Sequence, residues 1–149
     1  MRTLSKTFLI FIFCFITASN ATNYYVDKDA IGSNNGSSWT NAWESFADIN
    51  WAVLEAGDTL YISGGTISTT YNETLKPNTT NGEVGSRITI TKGIDAGHDG
   101  EVIIDGQDIR ANGIDSRKAN NDYITFSRLT IKQSTTYEIR VEDAVGVIV

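Results

Sequence analysis

The sequence predicts an all-β fold, a right-handed parallel β-helix with a capping α-helix at its amino terminus. The last two thirds of the chain consist of short runs rich in Ile, Val, Thr and Tyr, separated by Gly, Asn and Asp. Two of these runs are joined by Ser127-Arg128 alone, which lacks the Gly or Asn of a tight hairpin turn. Isoleucines recur in successive runs, at positions 124, 131 and 139, and again at 148, which is 24 residues after the first.

The alternative all-β fold is a sandwich of antiparallel strands. A sandwich would need tight hairpins and strands of about five or six residues. The predicted strands are only three to five residues long, and Ser127-Arg128 is better explained as a bend between two strands that continue around a coil. The spacing therefore favours the parallel β-helix.

The chain begins with a predicted signal peptide at residues 1–21. A basic start is followed by nine apolar residues, Phe8 to Ile16, and by a small-residue cleavage site that ends at Ala21. A membrane span needs about 20 apolar residues, so we expect cleavage, no membrane anchor and a secreted, extracellular or cell-surface protein. The only cysteine, Cys14, would be removed, which leaves no disulfide and no thiol nucleophile.

Residues 22–57 form the predicted amino-terminal cap. Tyr24–Val26 is a short β-prone run, and a Gly/Ser/Asn loop follows it. Six residues then recur at mostly helical spacing and predict one amphipathic helix, which Gly57 can terminate: Trp43, Phe46, Ala47, Asn50, Val53 and Leu54. Such a helix would cover the apolar end of a β-helix and protect its unpaired strand edge.

Residues 58–149 form the predicted coils. We predict strands over residues 59–62, 87–91, 102–104, 123–126, 129–131, 138–141 and 145–149, and a long polar loop over 66–85. The last run is apolar and has no polar cap after it, whereas solenoids normally end in an atypical terminal repeat. We therefore expect a β-helix that is truncated at its C-terminal end, that is, the amino-terminal part of a longer protein.

Several segments together resemble a known family. They are Tyr24-Tyr25-Val26-Asp27, Ser38-Trp39 with Trp43, Ala56 to Thr66 (AGDTLYISGGT), Val102 to Gly106 (VIIDG) and Tyr123 to Ile131 (YITFSRLTI). Their order is similar to the cap and first coils of secreted pectate-lyase-like β-helix proteins, especially the branch that resembles family 9 polysaccharide lyases. The resemblance covers residues 24–149 and is specific to architecture rather than to substrate.

The resemblance implies activity on acidic polysaccharide for the full-length protein. It implies a Ca²⁺ site of several aspartates and a lysine that removes the proton beside the sugar carboxylate, both on later coils. No residue of this chain matches those positions, so we assign no catalytic residue and no cofactor to this chain, and we expect this chain alone to be inactive.

Three aspartates are the candidate metal ligands within the chain: Asp95, Asp99 and Asp105. Carboxylate oxygens suit Ca²⁺, but the spacing is not that of an EF-hand loop. The competing explanation is that the Asp-Gly pairs at Asp99 and Asp105 simply make turns between strands.

Other polar and aromatic residues have both a functional and a structural interpretation. The single histidine, His98, is either a general base or a solvated turn residue. Lys76, Lys92, Lys118 and Lys132 either meet an acidic polymer or are exposed charges. Trp39, Trp43 and Trp51 either stack on sugars or pack in the core. Three triplets match the N-glycosylation pattern, beginning at Asn35, Asn72 and Asn78.

Charge excludes some partners. Lys and Arg number 12 against 18 Asp and Glu, which gives a formal net charge of −6. Nucleic acid and anionic membranes need clustered basic residues, so we expect neither as a partner. Two functions remain open: a secreted polysaccharide lyase or hydrolase, and a non-catalytic β-helix that binds glycans or serves as an adhesin or structural protein.

Overall fold

The computed structural model describes residues 20–78, 80–117 and 121–149. The predicted signal peptide falls almost entirely outside these residues. The described part is nearly all β and contains nine short strands and a single 3₁₀ turn, Trp51–Val53. The strands are β1 Asn23–Val26, β2 Thr59–Ile62, β3 Ser68–Tyr71, β4 Ile88–Lys92, β5 Glu101–Asp105, β6 Asn112–Ser116, β7 Ile124–Ser127, β8 Thr130–Lys132 and β9 Tyr137–Val141.

The nine strands form three sheets, and every pair of neighbouring strands is parallel. The first sheet has the order β1-β2-β4-β7, the second β3-β5-β8 and the third β6-β9. The chain visits the first, second and third sheets in the same order for β4, β5, β6 and again for β7, β8, β9. The prediction of an all-β fold is therefore confirmed, and no hairpin joins consecutive strands among the residues described.

The predicted bend after β7 is confirmed. β7 pairs with β4, whereas β8 pairs with β5, so the two strands belong to different sheets. Arg128 turns the chain between them with a left-handed φ of 56°. A non-glycine residue in this region is uncommon and marks a sharp local change of direction.

In-register pairing stacks apolar side chains into columns. Leu60 pairs with Ile90 and Ile90 with Phe126, and Ile88 pairs with Ile124. All five residues are at most 2% exposed. Strand side chains alternate between faces, so the residues between them point outward and are mostly threonine, tyrosine and serine. The core is thus one apolar stack shared by the three sheets.

The predicted amphipathic helix at Trp43–Leu54 is wrong. The segment consists of turns and the short 3₁₀ turn. Trp43 is held in an extended bridge to β1, because its N–H donates to the Tyr25 carbonyl at 3.0 Å and its carbonyl accepts from Asp27 at 2.9 Å. The Asn50 side chain also accepts from Ala52 N–H, a local bond that competes with helical ones.

The segment between β1 and β2 nevertheless covers the open edge of β1. Tyr25 donates its N–H to the Gly36 carbonyl at 3.0 Å, and the Trp43 bridge continues this pairing. Gly36 has φ +75° and would place a Cβ 2.8 Å from the Trp43 ring, so a side chain there would be both strained and obstructed. Edge coverage therefore comes from extended chain rather than from a helix.

Three other boundaries differ from the sequence prediction. β3 lies inside the predicted loop 66–85, and β6, which has only one large apolar residue, was not predicted. The run 145–149 contributes only an isolated bridge between Ile148 and Thr125. This bridge gives a spacing of 23 residues instead of 24, so Val147 packs on the core while Ile148 is 52% exposed.

Replacing one member of the apolar column tests its contribution to stability. Ile90→Ala removes a fully buried side chain from the centre of the first sheet and should lower the free energy of unfolding by about 3 kcal/mol. Ile94→Ala makes the same change at a 56% exposed position in the following turn and should cost under ~1 kcal/mol. Urea unfolding of the two variants measures the difference, and equal losses would contradict the assignment of the core.

Candidate functional site

A groove lies where segment 46–51 faces the chain that follows β3. Its cavity volume is ≈ 680 Å³. Its lining combines apolar, amide and charged side chains: Phe46, Ala47, Ile49, Trp51, Asn72, Glu73, Thr74, Lys76, Asn78 and Arg110. A concave, mixed surface of this kind is the usual form of a ligand site.

The two walls of the groove are tied together. Glu73 accepts a hydrogen bond from the Phe46 N–H at 2.8 Å, so its carboxylate is used to hold segment 46–51 against the chain after β3. Phe46 also stacks on Tyr71 with 4.8 Å between ring centroids. On the other side, Thr74 Oγ1 donates to the Asn112 carbonyl at 2.8 Å. The groove shape therefore follows from contacts between separate elements.

Basic side chains line part of the groove and the cavity that adjoins it. Lys76 is 54% exposed and belongs both to this cavity and to an adjoining one of ≈ 200 Å³, which Pro77, Asp115 and Arg117 also line. Arg110 lines the main cavity, and its Nη1 donates to Gln107 Oε1 at 3.0 Å. Lys76, Arg110 and Arg117 thus form a basic rim, a term used below for these three residues.

Asp115 is the acidic partner of the basic rim. Its side chain is 5% exposed and receives two hydrogen bonds from Arg117, Nε to Oδ1 at 2.5 Å and Nη2 to Oδ2 at 2.6 Å. Lys76 Nζ lies 4.0 Å from Oδ2. The hydrogen bonds from Arg117 are the main cause that lowers the pKa of Asp115 below its ordinary value, and the same contact raises the pKa of Arg117.

Lys76 is among the four lysines that the sequence suggested, whereas Arg110 and Arg117 were not predicted. The sequence did contain one signal for the pair of Asp115 and Arg117. Residues two apart on a strand point to the same side, and these two residues have that spacing at the end of β6. The polar composition of β6 concealed the strand and therefore the spacing. Lys118 lies outside the described residues.

A second polar cluster surrounds His98. Asp27 Oδ2 and Ser63 Oγ both lie 3.0 Å from the same ring nitrogen, Nδ1. Trp39 stacks on the imidazole with 4.0 Å between ring centroids, and its Nε1 donates to Asp95 at 2.7 Å. His98 does lie in a turn, but its side chain is not simply solvated, since it joins three segments.

The composition of this cluster resembles a nucleophilic triad, but its geometry does not. A triad needs the serine on one imidazole nitrogen and the carboxylate on the other. Here Ser63 and Asp27 compete for one nitrogen of His98. We therefore assign the cluster a structural role, in which it anchors the segment between β1 and β2 to the turn between β4 and β5.

The three candidate metal ligands have separate environments. Asp95 accepts from Trp39, Asp105 pairs with Lys132 Nζ at 3.3 Å, and the Asp99 carbonyl accepts from Lys92. Asp105 also accepts from the Gln107 N–H at 2.7 Å, a local turn contact. Across residues 20–78, 80–117 and 121–149, no group of three or more His, Cys, Asp or Glu side chains is placed to hold a metal ion.

The tryptophans divide into two kinds. Trp43 and Trp51 are buried in the core, at 2% and 9% exposure, although Trp51 also contacts the groove. Trp39 is half-buried, and its ring packs against His98 and the edge of Tyr25. Only Trp51 is therefore placed where a groove ligand could reach it.

No protein-family model matches the chain, and a search of curated proteins finds no significant match. Within the described segments, no helix is long and apolar enough to cross a membrane.

The ion pair between Asp115 and Arg117 predicts a pH dependence of stability. A carboxyl whose pKa is lowered on folding stabilises the protein above its unfolded value, about 3.9 for aspartate, and loses that effect as the pH falls through the folded value. Asp115→Asn should therefore unfold at lower urea than wild type at pH 6, and the difference should shrink below about pH 4.

The matched control is Asp143→Asn, which makes the same charge change at an exposed turn position. It should leave the urea midpoint close to wild type at both pH values. A difference between Asp115→Asn and wild type that stays constant from neutral to acid pH would contradict the prediction.

Proposed function

We propose that this chain is the amino-terminal part of a secreted right-handed parallel β-helix and that it binds acidic polysaccharide in the groove beside the basic rim. The β-helix part of the proposal is supported by the all-parallel pairing and by the repeated order of the three sheets. Crossovers between parallel strands are right-handed in nearly all proteins, which supplies the handedness.

The ligand assignment rests on Lys76 and Arg110, which line the groove, and on Arg117, which lines the adjoining cavity that shares Lys76. The chain has a formal net charge of −6, so a polyanion is repelled at long range and needs a local basic surface to bind. Guanidinium and ammonium groups recognise carboxylates through charge-assisted hydrogen bonds. Trp51, which is 9% exposed, adds a small apolar edge to the lining of the groove.

The polysaccharide lyase interpretation of the full-length protein rests on the resemblance to the pectate-lyase-like family. A lyase of this family would have the same fold and would bind the same acidic polysaccharide as in the binding proposal. It would also need a Ca²⁺ ion and a basic lysine on later coils. A lyase and a non-catalytic glycan-binding protein would use the groove in the same way, to hold the polymer along the β-helix. They differ in whether the bound polymer is cleaved.

Removing two charges of the basic rim tests the ligand assignment. Lys76→Ala with Arg110→Ala should weaken binding to polygalacturonate on the order of tenfold, because two cations that line the groove are lost. Affinity electrophoresis in gels that contain the polymer measures the effect, with neutral dextran gels as the comparison polymer.

The charge-matched control carries Lys92→Ala and Arg128→Ala, two basic residues on the corner between the first and second sheets. This variant should bind polygalacturonate like wild type. Equal weakening by both double variants would indicate attraction by overall charge and would exclude the groove as the site.

Cleavage is tested by ultraviolet absorbance of unsaturated products with polygalacturonate and Ca²⁺. We expect no product from residues 22–149, because no residue of this chain matches the lysine and aspartates that the resemblance implies. Product formation by this segment would overturn the expectation and place the chemistry among the residues described above.

A further inference from the structure

We propose that Asp115 is an internal competitor for the carboxylate of the polysaccharide, which keeps part of the basic rim neutralised until a ligand arrives. The inference rests on the proposed function of the groove and concerns its regulation. It assigns a role to a buried acidic residue that binding of an acidic polymer would not otherwise require.

The contacts of Asp115 are those that a ligand carboxylate would make. Its two oxygens accept separate hydrogen bonds from Nε and Nη2 of Arg117, the edge of a guanidinium that binds carboxylates in a bidentate manner. Lys76 Nζ lies 4.0 Å from the same carboxylate. Asp115 thus occupies this edge of Arg117 and lies close to the Lys76 charge.

The surroundings of Asp115 keep it ionised and in place. Asn112 Nδ2 donates to its Oδ2 at 3.4 Å, and its own N–H donates to the Leu75 carbonyl at 2.9 Å. Arg140 is its in-register neighbour on β9 and is paired with Glu142 at 2.7 Å. The charged groups around Asp115 are therefore Lys76 and Arg117 directly, with the Arg140 pair beyond them.

Charge counting gives the direction of the effect. Lys76 and Arg117 carry two positive charges, and Asp115 carries one negative charge beside them. The charged residues that line the adjoining cavity therefore sum to +1, whereas they would sum to +2 without the Asp115 charge. Asparagine has nearly the same shape as aspartate and keeps one acceptor oxygen for Arg117, but it removes the negative charge. Asp115→Asn should therefore strengthen binding of a polyanion, although it weakens the fold.

The experiment compares polygalacturonate binding by wild type, Asp115→Asn and Asp143→Asn at pH 7 in low salt. We expect Asp115→Asn to bind on the order of fivefold more tightly than the other two proteins, with a steeper loss of affinity as salt is added. Far-ultraviolet circular dichroism and urea midpoints confirm that each variant is folded under the binding conditions. Unchanged or weaker binding by folded Asp115→Asn overturns the inference.

A second variant keeps the inference testable if Asp115→Asn does not fold. Arg117→Gln in the wild-type background lowers the net charge of the adjoining cavity by one, but it should weaken binding less than Lys76→Ala does, since Asp115 already occupies that guanidinium. In the Asp115→Asn background, Arg117→Gln should remove the increase in polygalacturonate affinity that Asp115→Asn produces. A loss from Arg117→Gln alone as large as that from Lys76→Ala would show that Arg117 binds ligand directly and would overturn the competitor role.

The outcomes separate this inference from the proposed function. If wild type binds polygalacturonate and Asp115→Asn binds no better, the groove proposal stands and the competitor role is wrong. If neither protein binds, the groove is not a site for this class of polymer and both proposals fail.

Discussion

In-register parallel pairing is the constraint on which the rest of this structure depends. When Leu60, Ile90 and Phe126 occupy equivalent positions on neighbouring strands, each buries its side chain against the next, and the main chain is paired at the same time. A slip of one residue would turn this whole column toward solvent. The register of strand pairing therefore determines which positions face the core and must be apolar, and which positions point outward.

The candidate binding site lies outside the apolar column, although β6 also buries the polar residues Asn112 and Ser116 on the same face as Ile114. The groove and the basic rim lie where the chain leaves one sheet for the next, and Asp115 lies at the outward face of β6. Its carboxylate is almost fully buried yet charged, a condition that is stable only with close partners. Arg117 and Lys76 provide these partners, so the same contacts that stabilise β6 also set the charge of the cavity that adjoins the groove.

Much of the fold could be predicted from the sequence, because strand composition and the bend at Ser127-Arg128 are local signals. The helix prediction failed because side-chain periodicity does not reveal that the backbone of Trp43 is bonded to β1. β6 was missed because its polar side chains are buried by residues distant in sequence. The basic rim was largely missed for a related reason, since Arg110 and Lys76 are brought together only by the folded chain.

The corners between the first and second sheets differ widely in length while the pairing does not. Eight residues, 93–100, connect β4 to β5, whereas two residues, Arg128 and Leu129, connect β7 to β8. Both connections deliver their strands to the same register. Insertions and deletions at these corners therefore leave the strand pairing unchanged. A protein of this architecture can acquire a new binding surface by exchanging a connecting peptide, without changes to its core.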